Sequence, residues 1–225
     1  PGRAVDDAVP KGDAVAAAYL LGLADDAMVY AQRLGEWLTN APQIEEDMAL
    51  ANISLDLIGQ ARGLYPRVGE LDGTGRGEDD YAMLRDVAGS ADRVLDGVMA
   101  KAYKEARYHL DHAVQWTLRL GDGTEESHRR MQAALVAVAP YIDELFDDDP
   151  VSAAAYAEGI GPLPSEAREV AERTIQRIVA EANLTMPERS PWRSRGGRAG
   201  IHSRPMGLLL AEMQHLARSH PGATW

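Results

Sequence analysis

Cysteine is absent from the chain, and that removes a group of chemistries at once. Disulfides, thiolate zinc sites, cysteine nucleophiles and iron–sulfur clusters all need the sulfur, so any electrons the protein uses must come from elsewhere. Aromatic residues make up only 6% of the chain and phenylalanine occurs once, while the apolar 45% is dominated by Ala, Leu and Val. Pleated sheets favour β-branched and aromatic side chains, so this composition predicts helices. Basic residues are in deficit, 23 Lys and Arg against 35 Asp and Glu, for a formal charge of −12. Binding a phosphate backbone takes clustered cations, so nucleic acid is not an expected partner. Long apolar runs are missing too. AVAAAYLLGLA at 14 to 24 stops at Asp25 and Asp26, short of the roughly 20 residues that cross a bilayer. Its apolar spacing carries on through Met28, Val29, Leu34, Trp37 and Leu38, unlike that of a secretory signal. The expectation is a soluble cytoplasmic protein with no membrane partner, its 225 residues forming one domain.

What is present is helical punctuation. Asp13 predicts the N-cap of a helix over 14–38, and Pro42 forbids its continuation. A second helix is predicted over 44–68, which Pro66 either kinks or ends. Its apolar positions Leu50, Ile53, Leu57, Ala61, Leu64 and Val68 recur every three or four residues before GELDGTGRGEDD breaks the pattern. Two long helices joined by a short turn lie antiparallel. Further helices are predicted over 92–120, 127–146, 165–182 (with Ser165 as N-cap) and 205–219, with Met213, Leu216 and Trp225 anchoring the last. The class is therefore all-α, a long-helix bundle of the four-helix kind with additional C-terminal helices.

Such bundles hold paired iron through one Glu from each of two helices and a Glu-x-x-His pair from each of the other two. Hard iron needs carboxylates and imidazoles converging on one buried spot. Glu-x-x-His occurs at Glu125/His128, in what reads as a loop, and at Glu212/His215, in the short last helix. Neither falls mid-bundle on a long helix. In KEARYHLDH the third position after Glu105 is Tyr108, and the imidazole comes one residue late at His109. At about 100° per residue, Glu105, His109, His112 and Trp116 lie on one flank of the apolar stripe Leu95, Met99, Ala106, Ala113. The second helix lines up Asn52, Asp56 and Gln60, with Gly59-Gln60-Ala61-Arg62 where a ligand pair belongs. Amides and a guanidinium are poor iron ligands. Two readings of this line stay open: a solvated stripe, or a salt-bridged patch in which Arg62 pairs with Glu105 in place of metals.

Arg189, Arg193, Arg195, Arg198 and Arg204 surround Trp192 in an otherwise acidic chain. They either clamp the protein's own acidic residues, such as Asp147 to Asp149, or, through Arg193, Arg195 and Arg198, meet phosphates or an acidic partner.

The runs QRLGEW (32 to 37), LANISLDLIGQAR (50 to 62), KEARYHL (104 to 110), RLGDGTEES (119 to 127), ELFDDD (144 to 149), GIHS and LLLAEMQHLARSHPGATW (208 to 225) occur in order along nearly the whole chain. In these runs the chain resembles the C subunits of bacterial 1,2-phenylacetyl-CoA epoxidases, the structural subunits of the phenylacetyl-CoA ring-oxygenating complex. The resemblance implies a ferritin-like bundle that has lost its iron ligands and has no cofactor of its own. It also implies pairing with a paralogous A subunit that carries the di-iron centre, and with further subunits of the complex. Oxygen is then added across the aromatic ring, with electrons passed from NADPH by a reductase subunit holding flavin and iron–sulfur groups. The competing expectation is a di-iron oxygenase in its own right, using Glu36, Asp56, Glu105 and His109. In one place the chain departs from the family. Where the family has another loop and a long helix, YAMLRDVAGSA passes almost directly to the next helix, so a segment is expected to be missing near Leu84 to Ala91. A bundle without an interior helix exposes its apolar seam, at about 25 cal/mol for each Å² left wet.

Overall fold

The computed structural model describes residues 13–75 and 93–221. Among them are seven α-helices and no strand: α1 (Asp13–Trp37), α2 (Ile44–Leu71), α3 (Arg93–Gly121), α4 (Glu125–Ile142), α5 (Pro150–Ala157), α6 (Arg168–Glu181) and α7 (Arg204–Ser219). The all-α expectation holds. The region near Leu84 to Ala91, where a missing segment is expected, lies outside the described residues, as does Trp225.

The chain divides into two compact units, one made of residues 1–102, 150–162 and 203–225, the other of 103–149 and 163–202. In the first, α1 and α2 form an antiparallel pair. Small residues set their approach: Ala17, Ala24 and Ala27 of α1 bury with Leu20 and Leu21 against Ala61, Leu64, Tyr65 and Val68 of α2. The turn between them bends through Thr39, whose φ is 70°. The Asp47 carboxylate in the first turn of α2 fixes the bend by accepting from the Thr39 N–H at 2.9 Å and the Ala41 N–H at 3.3 Å. By length and composition α1 is long and apolar enough to cross a membrane, and 50% of its apolar window is buried inside the chain.

Pro66 does not end α2, which runs on to Leu71. The ring sits on the exposed side of the helix, where a lost N–H is cheapest to satisfy with water. In the same unit the start of α3 comes close to α2, since a Cβ on Gly63 would stand 2.9 Å from Val98 Cγ2. In α7 it is Leu209 and Gln214 that are buried; Leu216, an expected anchor, is exposed.

The second unit packs Leu118 of α3, Met131 and Leu135 of α4 and Ile175 of α6 around Val179, Ala182 and Leu184. Helix α4 starts two residues before the expected Ser127, because Thr124 is its N-cap and takes the Ser127 N–H at 3.1 Å. Ser165 is likewise not an N-cap. Its N–H and hydroxyl both donate to Asp148, at 3.0 and 2.7 Å, so the carboxylate of the acidic run organises the entry to α6. The helix α5 was not expected. Pro150 at its first position, where an N–H has no intrahelical partner anyway, reads in sequence as a stop but here begins a helix.

Candidate functional site

On α2 the buried stripe Ala61, Leu64, Tyr65 and Val68 faces α1. The polar line runs beside it. Asp56 and Gln60 are half-buried at its border, while Asn52, Gly59 and Arg62 are exposed. A Cβ on Gly59 would stand 3.9 Å from the Lys101 ammonium. The place where a carboxylate ligand would be needed is therefore a glycine beside a cation. Amides at 52 and 60, a guanidinium at 62 and an ammonium next to 59 do not fit a pair of metal ions, which need anionic oxygen from several sides. Arg62 is exposed, so the large loss that belongs to breaking a buried ion pair does not apply to it.

Glu105 and His109, in the second unit, are half-buried, as are His112 and Trp116, while Tyr108 is exposed. The Tyr108 ring meets His109 edge-on at 6.2 Å and stacks on His112 at 6.5 Å, so both imidazoles flank a phenol. The apolar stripe beside them is uncovered: Ala106 and Ala113 are exposed. The side chains of Leu95 and Met99 are outside the described residues.

The two Glu-x-x-His pairs do not reach a bundle interior. Glu125 and His128 belong to the first turn of α4 rather than to a loop, and His128 Nδ1–H donates to the Gly121 carbonyl at 2.7 Å. Glu212 and His215 are exposed on α7. Glu36, at the exposed end of α1, is ion-paired with Arg33. Among the described residues no group of three or more His, Asp or Glu is placed to hold a metal ion.

The basic segment is a strap across the end of α4. Arg193 lies 3.9 Å from Asp143 and 3.7 Å from Asp147, and Arg168 joins the same cluster at 2.9 Å from Asp143. These guanidiniums, Arg168 first, hold the Asp143 carboxyl below its ordinary range. The Ser194 N–H donates to the Pro140 carbonyl at 2.9 Å, and the Trp192 and Tyr141 rings meet edge-to-face at 5.5 Å. Of the three candidate phosphate contacts, Arg193 is thus engaged by the protein's own acids; Arg195 and Arg198 are exposed.

Sequence reasoning missed the anchor of this strap. Glu144 accepts from the Ser194 hydroxyl and from the Gly197 N–H at 2.6 Å. The hydroxyl, the N–H and the nearby charges of His202 and Arg198 lower its pKa from the ordinary 4.5. The signal was visible only as glycines, since Gly196 and Gly200 take φ of 87° and 81° so that the strap can curl over the carboxylate.

A folded-state pKa below the unfolded one means that Glu144 contributes stability above about pH 4.5, which is lost as falling pH protonates it. Glu144→Gln should therefore lower the midpoint of thermal unfolding at pH 7, by a difference that shrinks as the pH is lowered below 4.5. Parallel curves for the two proteins across that range would show that the carboxylate carries no such linkage.

Comparison with known proteins adds what geometry cannot. The family model described as "Phenylacetic acid catabolic protein" matches in two blocks, residues 3–89 and 83–225. A curated protein, the C subunit of the 1,2-phenylacetyl-CoA epoxidase of Escherichia coli (strain K12), is 38% identical over 245 aligned residues, covering 92% of this chain and 98% of the relative. That alignment is longer than the 225 residues of the chain, so the relative has residues with no counterpart here.

Proposed function

The chain belongs to the phenylacetic acid catabolic protein family, and from that premise we propose that it is a non-catalytic structural subunit of a phenylacetyl-CoA epoxidase. In this reading it is a ferritin-like scaffold that pairs with and stabilises a paralogous A subunit. The companion holds the di-iron centre and takes the acyl-CoA. A reductase subunit with flavin and iron–sulfur groups relays electrons from NADPH, and oxygen is added across the aromatic ring. The assembly is cytoplasmic.

One observation carries the non-catalytic half of the proposal: at the ligand-pair position of α2 the chain has Gly59 with the Lys101 ammonium beside it, followed by Gln60 and Arg62. A cation already occupies the neighbourhood that a metal would need to find anionic. The assembly half rests on likeness, over almost the whole chain, to a relative named as one subunit of an epoxidase. What remains for the residues of this chain is shape. The α1/α2 pair, closed by alanines, gives a rigid rod on which exposed Trp37, Ile44, Met48 and Leu55 are available for a partner.

Two measurements on purified proteins test this. The chain alone is expected to bind far less than one iron per molecule, and to yield ring epoxide only when a ligand-bearing family paralogue and a reductase are added. Stoichiometric iron in the isolated chain, about two per molecule as in di-iron bundles, would overturn the scaffold reading in favour of an oxygenase. Failure to co-elute with any paralogue would remove the pairing.

A further inference from the structure

In the second unit a cleft of about 580 Å³ opens between the end of α4 and α6, with residues 186–193 as its third wall. Both ends of that wall are pinned. Before it, the Gln132 side-chain amide accepts from the Thr185 N–H at 2.8 Å and donates back to the Thr185 carbonyl at 2.9 Å. After it, the Ser194 N–H donates to the Pro140 carbonyl at 2.9 Å and the Ser194 hydroxyl to Glu144. A cleft braced in this way exists before anything enters it, and its volume falls within the roughly 300–1,000 Å³ of small-molecule sites.

The lining says what would fit. Half-buried Ile142 and Ile175 contribute from the helices, and Met186 and Trp192, 44% and 56% exposed, from the third wall. An open indole face and a thioether both favour a flat aromatic body. Most of the charges are already matched. Asp143 and Glu172 pair with Arg168 at 2.9 and 3.4 Å, and Arg193 is shared between Asp143 and Asp147. Arg189 differs: it lines the cleft, is exposed, and makes no ion pair among the described residues. It is still near enough for its charge to help lower the Asp143 carboxyl, so three guanidiniums act on one carboxylate at the end of α4. The planar guanidinium fork takes a carboxylate through two hydrogen bonds. Glu188 beside it also lines the cleft without an ion pair among the described residues, and its charge opposes the anion that Arg189 attracts.

We propose that this cleft binds an aromatic monocarboxylate, with the rings against Trp192 and Met186 and the carboxylate on Arg189. The inference goes beyond the subunit role, which gives this chain no small-molecule ligand.

Isothermal titration calorimetry of the full chain at low salt, where an exposed guanidinium is least screened, tests this with three probes of one shape. Naphthylacetate carries the carboxylate, naphthylacetamide is its neutral counterpart, and naphthylmethylamine reverses the charge. The carboxylate should bind once per chain and roughly tenfold more tightly than either of the others. Arg189→Gln should erase that preference and leave the amide as it was. Glu188→Gln should strengthen the carboxylate severalfold, and Trp192→Ala should weaken carboxylate and amide alike. All three side chains are exposed, so the variants should unfold at the midpoint of the wild type. The proposal is overturned if the carboxylate does not bind at millimolar concentration, or if the amide binds as tightly. It is also overturned if the amine binds best and loses its advantage in Glu188→Gln, which makes the site one for cations. Binding that survives both Arg189→Gln and Trp192→Ala would put the ligand elsewhere on the chain, and would overturn it as well.

Discussion

Gly121→Ala is expected to cost the second unit about 3 kcal/mol, the effect of a single methyl group with nowhere to go. A Cβ at this position would stand 2.4 Å from the Ala182 carbonyl oxygen and 2.8 Å from its Cβ. Both obstacles belong to the body of a neighbouring chain segment, not to the tip of a flexible side chain, so relief requires the ends of α3 and α6 to separate. That separation is resisted from several sides. Asn183 Nδ2 donates to Asp122 Oδ1 at 2.7 Å, and the Gly121 carbonyl holds His128 at 2.7 Å. The left-handed Asn183, at φ 57°, closes α6 so that the Leu184 N–H returns to the Val179 carbonyl at 3.0 Å and its side chain enters the core. Gly35→Ala is the control. Nothing lies within 4 Å of the added Cβ there, and the helix propensity of alanine should give a gain of up to about 1 kcal/mol. Urea denaturation reads both variants. If Gly121→Ala lost less than about 1 kcal/mol, the close crossing of α3 and α6 would be wrong.

Much of this fold can be read from the residues because local and tertiary signals agree. For α1 and α2 the apolar period, the turn at 39–43 and the length point the same way, and the observed elements, Asp13–Trp37 and Ile44–Leu71, differ from the expected ones by three residues or fewer at any end. Proline is where the local signals mislead. Its lack of an N–H counts against a helix interior and for a helix start, so Pro66 and Pro150 each have two readings that only packing decides. The same applies to the acidic run 147–149, which reads locally as a terminator. Asp148 organises the chain entering α6 from 17 positions away, and no local pattern announces such a bond.

The site was legible in a different sense. Side-chain chemistry at Asn52, Gln60 and Arg62 argues against a metal from the sequence alone. The Lys101 ammonium beside Gly59 does not appear in any spacing rule, because it comes from another helix. Exposure was the least legible property. The stripe through Ala106 and Ala113 has the period of a buried face and is in water, since burial depends on whether a neighbouring element exists. A helix's own residues cannot encode that.

The buried phenol of Tyr65 is the other position of large expected effect. It is 1% exposed, packed among Leu20, Leu21, Ala61 and Leu64, and its hydroxyl donates to Asp25 Oδ1 at 2.9 Å. Tyr65→Ala removes a whole ring from a closed alanine-rich interface that cannot collapse onto the gap, for a loss of about 4 kcal/mol. Tyr65→Phe keeps the ring and removes only the bond to a carboxylate, for about 1.5 kcal/mol. The pair of variants thus separates packing from hydrogen bonding. They also differ in pH dependence. Burial first, then the charges of Asp25 and Asp26, raise the Tyr65 pKa well above the ordinary 10.0. Below pH 10 the phenol is protonated in both folded and unfolded chains and the contribution is constant. Above it the unfolded chain releases the proton while the folded chain keeps it, so stability falls as pH rises toward the folded pKa. Denaturation at pH 8 and pH 11 should show a wild-type loss that Tyr65→Phe partly escapes, the exposed tyrosines contributing equally to both. Identical alkaline losses, together with a Tyr65→Ala cost near that of a surface change, would mean that the phenol does not hold α1 to α2.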